Sequence, residues 1–575
     1  MGNCILRRAL WCLILFVCYT QLTYAFSVKD ESGIVFFIHS EEDDTCSIVI
    51  VPNQDHVTIA SSYSYKGKSY TPVEIEDGAC MNNDLMTSII LPSTIKRLGQ
   101  SAFNGCIKLR NISLPNGVTT INPYCFANCT SLTGFTAPAA LTRIGQSAFS
   151  NSGIEHVELG EQIEEIGSSA FAHCEKLQGF RLSSLVIQTI SRSLFRECNS
   201  LVGVTLPNTI TSIESNAFEN CSKLAAIDLP DSLRMLGGDA FEGCTSLTHV
   251  EMPSGVILGV CLRSYPFIKS IHFTKGSRPV IDDAFYFSMP NLKSLTFDEG
   301  ITEITGSAFS GCDSLESVIF PTSMRYIRHN AFQRCESLEH VVLPPNLITI
   351  GDEVFSYCSS LKRIVLPVTL DTIGRRAFND CIALEDVEFP RNLKVIGDDA
   401  FNQCSSLKSV KTGGELETIG FAAFERAGVQ QLTLGESLKS IEDNAFAYCN
   451  ITEVYSWNPQ PPVIEFNTFN TVTTQNAILT VPAEAVDAYK EATYWKNFKN
   501  IVGKDLSAVN QIDNKDISVV IQNGQIVVGG VKDVRIEVYN MQGHLVYCGF
   551  DTMIEMPTSG LYLVKVGTQV FKVKI

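Results

Sequence analysis

Twelve of the chain's 20 cysteines occupy one recurring slot, three residues after a phenylalanine: Cys106, Cys129, Cys174, Cys198, Cys221, Cys244, Cys312, Cys335, Cys358, Cys381, Cys404 and Cys449. Thiols at regular spacing could form disulfides, hold a soft metal ion or pack as small apolar groups. If successive repeats stack as parallel strands, neighbouring Cα atoms lie about 4.8 Å apart, within the range a disulfide spans. Distance alone therefore does not exclude bridging. Counting speaks against it: the run from Cys312 to Cys404 has five members, Cys449 has no neighbour in the column, and Ser152, Ser288 and Ala427 fill the slot elsewhere. Zinc needs ligands that converge on one point, whereas a ladder sets them in line. The slot reads as a buried free thiol acting as a small apolar residue.

The other reactive residue types are scattered. His249 and His272 fall on outward strand positions of adjacent repeats, but no third ligand follows at matching spacing, so they read as solvent-facing. Asp282-Asp283 and Asp398-Asp399 are paired acids. A glycosidase needs two carboxylates facing a sugar cleft, yet each pair here precedes Ala-Phe and reads as first-turn acids at a helix N-terminus. The chain holds no Gly-x-Ser-x-Gly elbow, His-Glu-x-x-His pair or phosphate loop. It reads as a non-enzyme with no catalytic, cofactor-binding or metal residues. What remains is a column of charge seven residues after the phenylalanine: Glu316, Glu339, Lys362, Glu385 and Lys408. Lys362 and Glu385, together with His340, Arg363, Asp386 and Glu388, make an expected recognition strip on an exposed strand face. The plain alternative is a solvated charge ladder worth little per pair.

Positioning these residues is the work of a repeat. Phenylalanine recurs at spacings of 21 to 24 from Phe103 to Phe469, with Cys80 and Leu262 as degenerate members, making 18 copies in all. The clearest are SAFNGCIKLRNISLP from Ser101, NAFENCSKLAAIDLP from Asn216 and RAFNDCIALEDVEFP from Arg376. An Ile or Leu stands five before the Phe and a Leu six after it, and alternating apolar residues stand nine and eleven after it. That alternation reads as a short half-buried strand. A proline closes many of these strands, because it has no N–H with which to continue a ladder. The Ala-Phe-x-x-Cys segment suits a single helical turn, and steps other than 23 are expected in surface turns. One such unit cannot cover its own apolar faces, so a fixed period implies a stack.

This grammar resembles BspA-like leucine-rich repeats, common on the surfaces of Bacteroidetes bacteria. The resemblance implies a leucine-rich repeat solenoid of about 18 coils of about 23 residues, with short parallel strands and short helical turns. It covers residues 75–471. Residues 26–74 resemble that family's N-terminal cap and residues 472–502, with Leu479-Thr480-Val481-Pro482, Tyr489 and Trp495, its closing cap. Caps are required because an end coil exposes open strand edges.

The remaining segments have other jobs. Arg7-Arg8, the apolar run from Ala9 to Tyr19 and Thr23-Tyr24-Ala25 read as a signal peptide over residues 1–25, cut after Ala25. No other segment is apolar enough for a transmembrane helix. Residues 503–516 read as a polar linker. Residues 517–575 alternate like the strands of a small immunoglobulin-like all-β sandwich. Within them Val538-Tyr539-Asn540-Met541-Gln542-Gly543 and the run from Pro557 to Val566, with Lys572 and Lys574, resemble the C-terminal sorting domain of type IX secretion. That implies the type IX machinery as a partner; an ordinary accessory β domain is the alternative. The net charge of −17, 44 basic against 61 acidic residues, argues against nucleic acid, which needs a positive footprint. The resulting expectation is a secreted or outer-membrane surface protein that adheres to host matrix, host cells or other microbes. The alternatives are a glycan-binding accessory, using exposed aromatics such as Tyr63, Tyr65, Tyr455 and Trp457, and a purely structural coat.

Overall fold

Each apolar slot of the repeat turns inward. Ile121, Phe126, Cys129 and Leu132 are fully buried, as are Ile373, Phe378, Cys381 and Leu384. The structure, a computed structural model, describes residues 26–39, 44–258, 265–282, 289–505, 518–522, 525–529, 536–540, 545–549, 553–556, 561–566 and 569–574. The expected leader with Ala25, the slots Leu262, Phe285 and Ser288, Asp283 and most of the 503–516 linker lie outside those residues. The chain divides into two units, Met1–Ile301 and Thr302–Ile575.

Both units are wound the same way. The isoleucine five before the Phe lies in a two-residue strand that pairs in parallel with its counterpart one coil on. In the first unit Ile121 pairs with Leu98 and Ile144. In the second, Ile350 pairs with Ile327 and Ile373, and Ile396 with Ile419. The strand before the proline forms a second parallel ladder, in which Phe180 pairs with Val204 and Val204 with Ile227, and likewise Val341 with Ile364 and Ile364 with Val387. The proline then opens a turn: its carbonyl accepts from the residue three on, as Pro367 does from Leu370 at 3.1 Å and Pro390 from Leu393 at 3.1 Å. Between the ladders the phenylalanine rings stack face to face, for example Phe126 on Phe149 at 5.3 Å and Phe378 on Phe401 at 5.0 Å between centroids. Such pairs add about 0.5–1.5 kcal/mol each beyond their burial.

The expected helical turn around the Phe is absent. In the described repeats from Phe103 to Phe446 those segments are turns, and the last, at Phe469, runs on into the short helix Thr471–Asn476. The residues two before and two after the Phe hold left-handed backbone, as in Glu353 (φ 56°) with Tyr357 (φ 63°) and Arg376 (φ 53°) with Asp380 (φ 57°). A helix would aim every N–H back along its own coil. Here the alternation points N–H groups at the next coil: Glu353 to Arg375 O at 2.8 Å, Phe355 to Ala377 O at 2.8 Å and Tyr357 to Asn379 O at 2.8 Å. The turn is thus a third hydrogen-bonded ladder.

Close coil contact also explains two glycine slots. Four before the Phe, a Cβ on Gly374 would lie 2.6 Å from the Gly351 carbonyl carbon, and one on Gly397 2.9 Å from Arg375 N. The second slot occurs in two of the coils that lack a residue between the cysteine slot and the next apolar slot; in a third, Asn450 stands there beside Cys449. Gly153 and Gly428 let the preceding chain approach, and an added Cβ would meet Thr130 O at 2.2 Å and Ser405 O at 2.1 Å. The 24-residue step from Phe171 to Phe195 puts its surplus outside, where Leu185 and Val186 are exposed, though those rings open to 6.1 Å.

The caps continue the ladders. Thr45–Ile50 pairs in parallel with Lys68–Ile75, and His56–Thr58 with Ser88–Ile90, so part of the N-terminal cap is itself a coil. At the far end Ile478–Pro482 and Asn500–Lys504 extend the strand ladder, carrying residues 503–504 into a strand where a linker was expected. Trp495 and Tyr489 are fully buried there, with Trp495 Nε1 donating to Pro462 O at 2.8 Å. Beyond them stand two antiparallel sheets, one formed by Ser518–Gln522, Gln525–Gly529 and Met553–Glu555, the other by Leu545–Gly549, Ile536–Asn540, Leu561–Val566 and Gln569–Lys574. They share a core that includes Ile526, Val538, Ile554 and Val564. Replacing Gly428 with Ala should destabilise the protein by about 1–3 kcal/mol, because backbone would have to move. Gly414→Ala, whose Cβ meets only Arg391 Nε at 3.8 Å, should be near neutral in the same denaturant titration.

Candidate binding face

The strand before each proline points alternate side chains inward and outward, so its outer residues line up in columns across coils. The strands His340–Val342, Arg363–Val365, Asp386–Glu388 and Ser409–Lys411 carry such columns in the second unit. One column runs His340, Arg363, Asp386, with each residue in register with the next. The other runs Val342, Val365, Glu388, Lys411, likewise in register. His340, Asp386, Glu388 and Lys411 are exposed and Arg363 is half-buried. Lys362 and Glu385, just ahead of these strands, are exposed beside them. All six residues of the expected strip therefore lie on one face. Lys362 Nζ sits 2.9 Å from Glu339 Oε2, and that hydrogen bond, followed by the lysine's charge, lowers the Glu339 pKa.

Sequence reasoning missed the apolar half of the face. Val342 is 58% exposed and Ile319, on the strand Ser317–Ile319, 65%. Both occupy the outward slot ten after the Phe, a signal that was available in the period once the outward slots were read for apolar residues as well as charge. The face thus offers aliphatic surface flanked by both signs of charge, the composition of a protein interface with a polar rim.

The remaining candidates for chemistry are structural. His249 Nδ1 pairs with Ser270 Oγ at 2.8 Å, whereas His272 Nδ1 pairs with Thr296 Oγ1 at 2.7 Å. In register His272 faces Glu251 and not His249. Among the described residues no group of three or more His, Cys, Asp or Glu could hold a metal ion. Asp398 and Asp399 serve no helix. Asp398 Oδ1 accepts the Phe421 N–H of the next coil at 3.0 Å, and Asp399 pairs with Arg376 at 3.2 Å. Of the aromatics considered for sugar, Tyr63 is buried against Phe36, which removes it from any surface.

Fifteen cysteines from Cys46 to Cys449 are free and buried. The slot has a polar task besides its packing. Ladder thiols aim at a carbonyl of the preceding coil: Cys358 Sγ lies 3.3 Å from Phe332 O, Cys381 Sγ 3.1 Å from Phe355 O and Cys404 Sγ 3.2 Å from Phe378 O. Where Ser152 replaces cysteine, its Oγ lies 3.4 Å from Cys174 Sγ. Burial raises the thiol pKa from 9.0 to about 12 at Cys106, Cys244 and Cys358.

Comparison with known proteins places this geometry. The family description "BspA type Leucine rich repeat region", in six copies, matches residues 73–188, 186–287, 278–408 and 326–453. Among solved structures, a leucine-rich repeat protein from Bacteroides ovatus is 30% identical, covers 64% of this chain and 95% of its own, and has a TM-score of 0.48. A leucine-rich cell surface protein from Faecalibacterium prausnitzii is 24% identical over 63% of this chain and 94% of its own, with a TM-score of 0.32. The pneumococcal vaccine antigen PcpA is 16% identical over 84% of this chain and 99% of its own, with a TM-score of 0.28. No curated protein matches the chain.

The thiols generate a test. A raised pKa means the folded chain keeps protons that the unfolded chain has lost, so their contribution to stability is complete below about pH 9 and is lost as pH rises toward about 12. An alkaline titration followed by circular dichroism and a thiol-reactive dye should show unfolding and thiol labelling together above about pH 9. Labelling of the ladder in folded protein at neutral pH would contradict the burial.

Proposed function

This chain belongs to the BspA-type leucine-rich repeat family, and from that premise we propose that it is an exported cell-surface protein that binds extracellular proteins of a host or of other microbes. The observation that carries the reading is the mixed face formed by Val342, Val365, His340, Arg363, Asp386 and Glu388, with Lys362 and Glu385 beside it. Binding energy concentrates in a few residues near the centre of an interface, arginine among the most frequent; burial of the valines there adds apolar area, and flanking charges supply register and association rate. Many copies on one surface would strengthen weak contacts through effective concentration. Export is supported by the basic and apolar leader residues, and among the described residues no helix is long and apolar enough to cross a membrane. We read residues 517–575 as an immunoglobulin-like type IX sorting domain, on the motifs at 538–543 and 557–566. Mass spectrometry of the surface-exposed protein should then find a chain ending near residue 504; an intact C-terminus there would reject that part.

For the face itself, Val342→Asp and Arg363→Glu are expected to weaken adhesion to immobilised matrix and epithelial surface proteins by about tenfold or more, about 1.4 kcal/mol, with the thermal transition unchanged. Undiminished adhesion would sink the assignment. Binding to glycans alone would favour the accessory role, and unchanged adhesion after deletion of the repeats a structural coat.

A further inference from the structure

The turn ladder ends at the C-terminal cap, and it ends incompletely. In every described coil from Phe309 to Phe424, the N–H groups two before and two after the Phe donate to the next coil; Ala422 donates to Asp443 O at 3.0 Å and Arg426 to Ala447 O at 3.0 Å. In the coil of Phe446 only the central bond survives, Phe446 N to Thr468 O at 2.9 Å. The equivalent N–H groups of Asn444 and Tyr448, both left-handed at φ 58° and 60°, make no backbone hydrogen bond among the described residues. The final turn departs because Thr471–Asn476 becomes a short helix capped by Asn470.

A cleft of about 260 Å³ opens where those two donors end. Its walls include Tyr448, Phe466 and Tyr494. Phe466 is 71% and Tyr448 67% exposed. Phe466 meets Tyr494 edge-on at 5.9 Å, and Arg426 of the preceding coil lies 5.3 Å from the Tyr448 ring centre. Tyr494 holds φ 65° just ahead of the turn Trp495–Asn497. Asn444, Asn467 and Asn497 bring amides to the same cleft. Asn467 Nδ2 donates to Asp443 Oδ2 at 3.2 Å, and the Asn497 amide has no partner among the described residues.

We propose that this cleft binds a neutral sugar residue of a glycan. A pyranose presents C–H faces that suit exposed aromatic rings, and hydroxyls that donate and accept together, which is what amides and free backbone N–H groups complement. The size fits one ring better than a drug-sized ligand, for which pockets run about 300–1,000 Å³. Glu465 in the wall and Asp443 beside it disfavour an acidic sugar. A cationic ligand would suit the aromatics and the carboxylates but would face the N–H donors of Asn444 and Tyr448. The site is separate from the strand face, so the two readings fail independently.

The test uses the full chain on an array of oligosaccharides ending in neutral hexoses or N-acetylhexosamines, the same glycans capped with sialic acid, and a lysine-rich peptide. The expected result is binding to a neutral set, weakened by capping, reduced at least tenfold in Phe466→Ala and in Asn497→Ala, and unchanged in Val342→Asp. Both altered side chains are exposed, and unchanged thermal melting verifies folding. Absence of binding to any neutral glycan, preference for the capped or peptide probes, or binding indifferent to both cleft variants would overturn the proposal.

Discussion

Coil must lie on coil at one spacing, and the phenylalanine stack is where that demand is strictest. From Phe309 to Phe469 the ring centroids stay between 5.0 and 5.6 Å apart. Two parallel β ladders and the turn ladder require the same rise, because strand spacing is set by the hydrogen bond. An aromatic face fills that rise without a void, and a buried void would cost stability. A repeat that drifted out of register would lose all three ladders at once, which is why stability in such a stack belongs to neighbouring pairs of coils.

The other recurrent residues follow from that spacing. Where glycine stands four before the Phe, as at Gly374 and Gly397, backbone of the preceding coil passes where a Cβ would be; coils with Arg328 or Glu442 in that slot must take a different local path. The cysteine slot needs a side chain small enough for a crowded interior and able to reach a carbonyl already bonded once: Phe355 O accepts from Cys358 N at 3.2 Å and from Cys381 Sγ at 3.1 Å. Serine or alanine replaces it at Ser152 and Ala427, beside Gly153 and Gly428, whereas Cys449 keeps the thiol in a coil shortened in the same way. The thiol is therefore a weak inter-coil donor held away from oxidants, and its value lies in size and geometry.

With the interior so constrained, function is left to the outward columns and the chain's ends. Outward strand positions vary from aliphatic at Ile319 and Val342 to charged at Glu388 and Lys411, since nothing in the stack selects them. The ends matter for a different reason: a ladder that stops leaves donors without acceptors, as at Asn444 and Tyr448. On the readings proposed above, the strand face would take a broad protein surface and the cap cleft a small polar ring.

Period, inward columns, strand closure by proline and family were all legible in the sequence, because each depends on a side-chain type recurring at a fixed interval. The charged strip was legible for the same reason: outward slots of a parallel ladder share one face whatever fills them. The helical reading of Ala-Phe-x-x-Cys failed on backbone sign. Serine, glutamate, arginine and tyrosine all adopt left-handed φ here, and only the carbonyls of the next coil make that conformation worthwhile. The destination of the cysteine Sγ, the acceptor role of Asp398 and the cleft at Phe466 were likewise decided by tertiary contact, since each involves atoms some twenty or more residues apart that a local pattern does not relate.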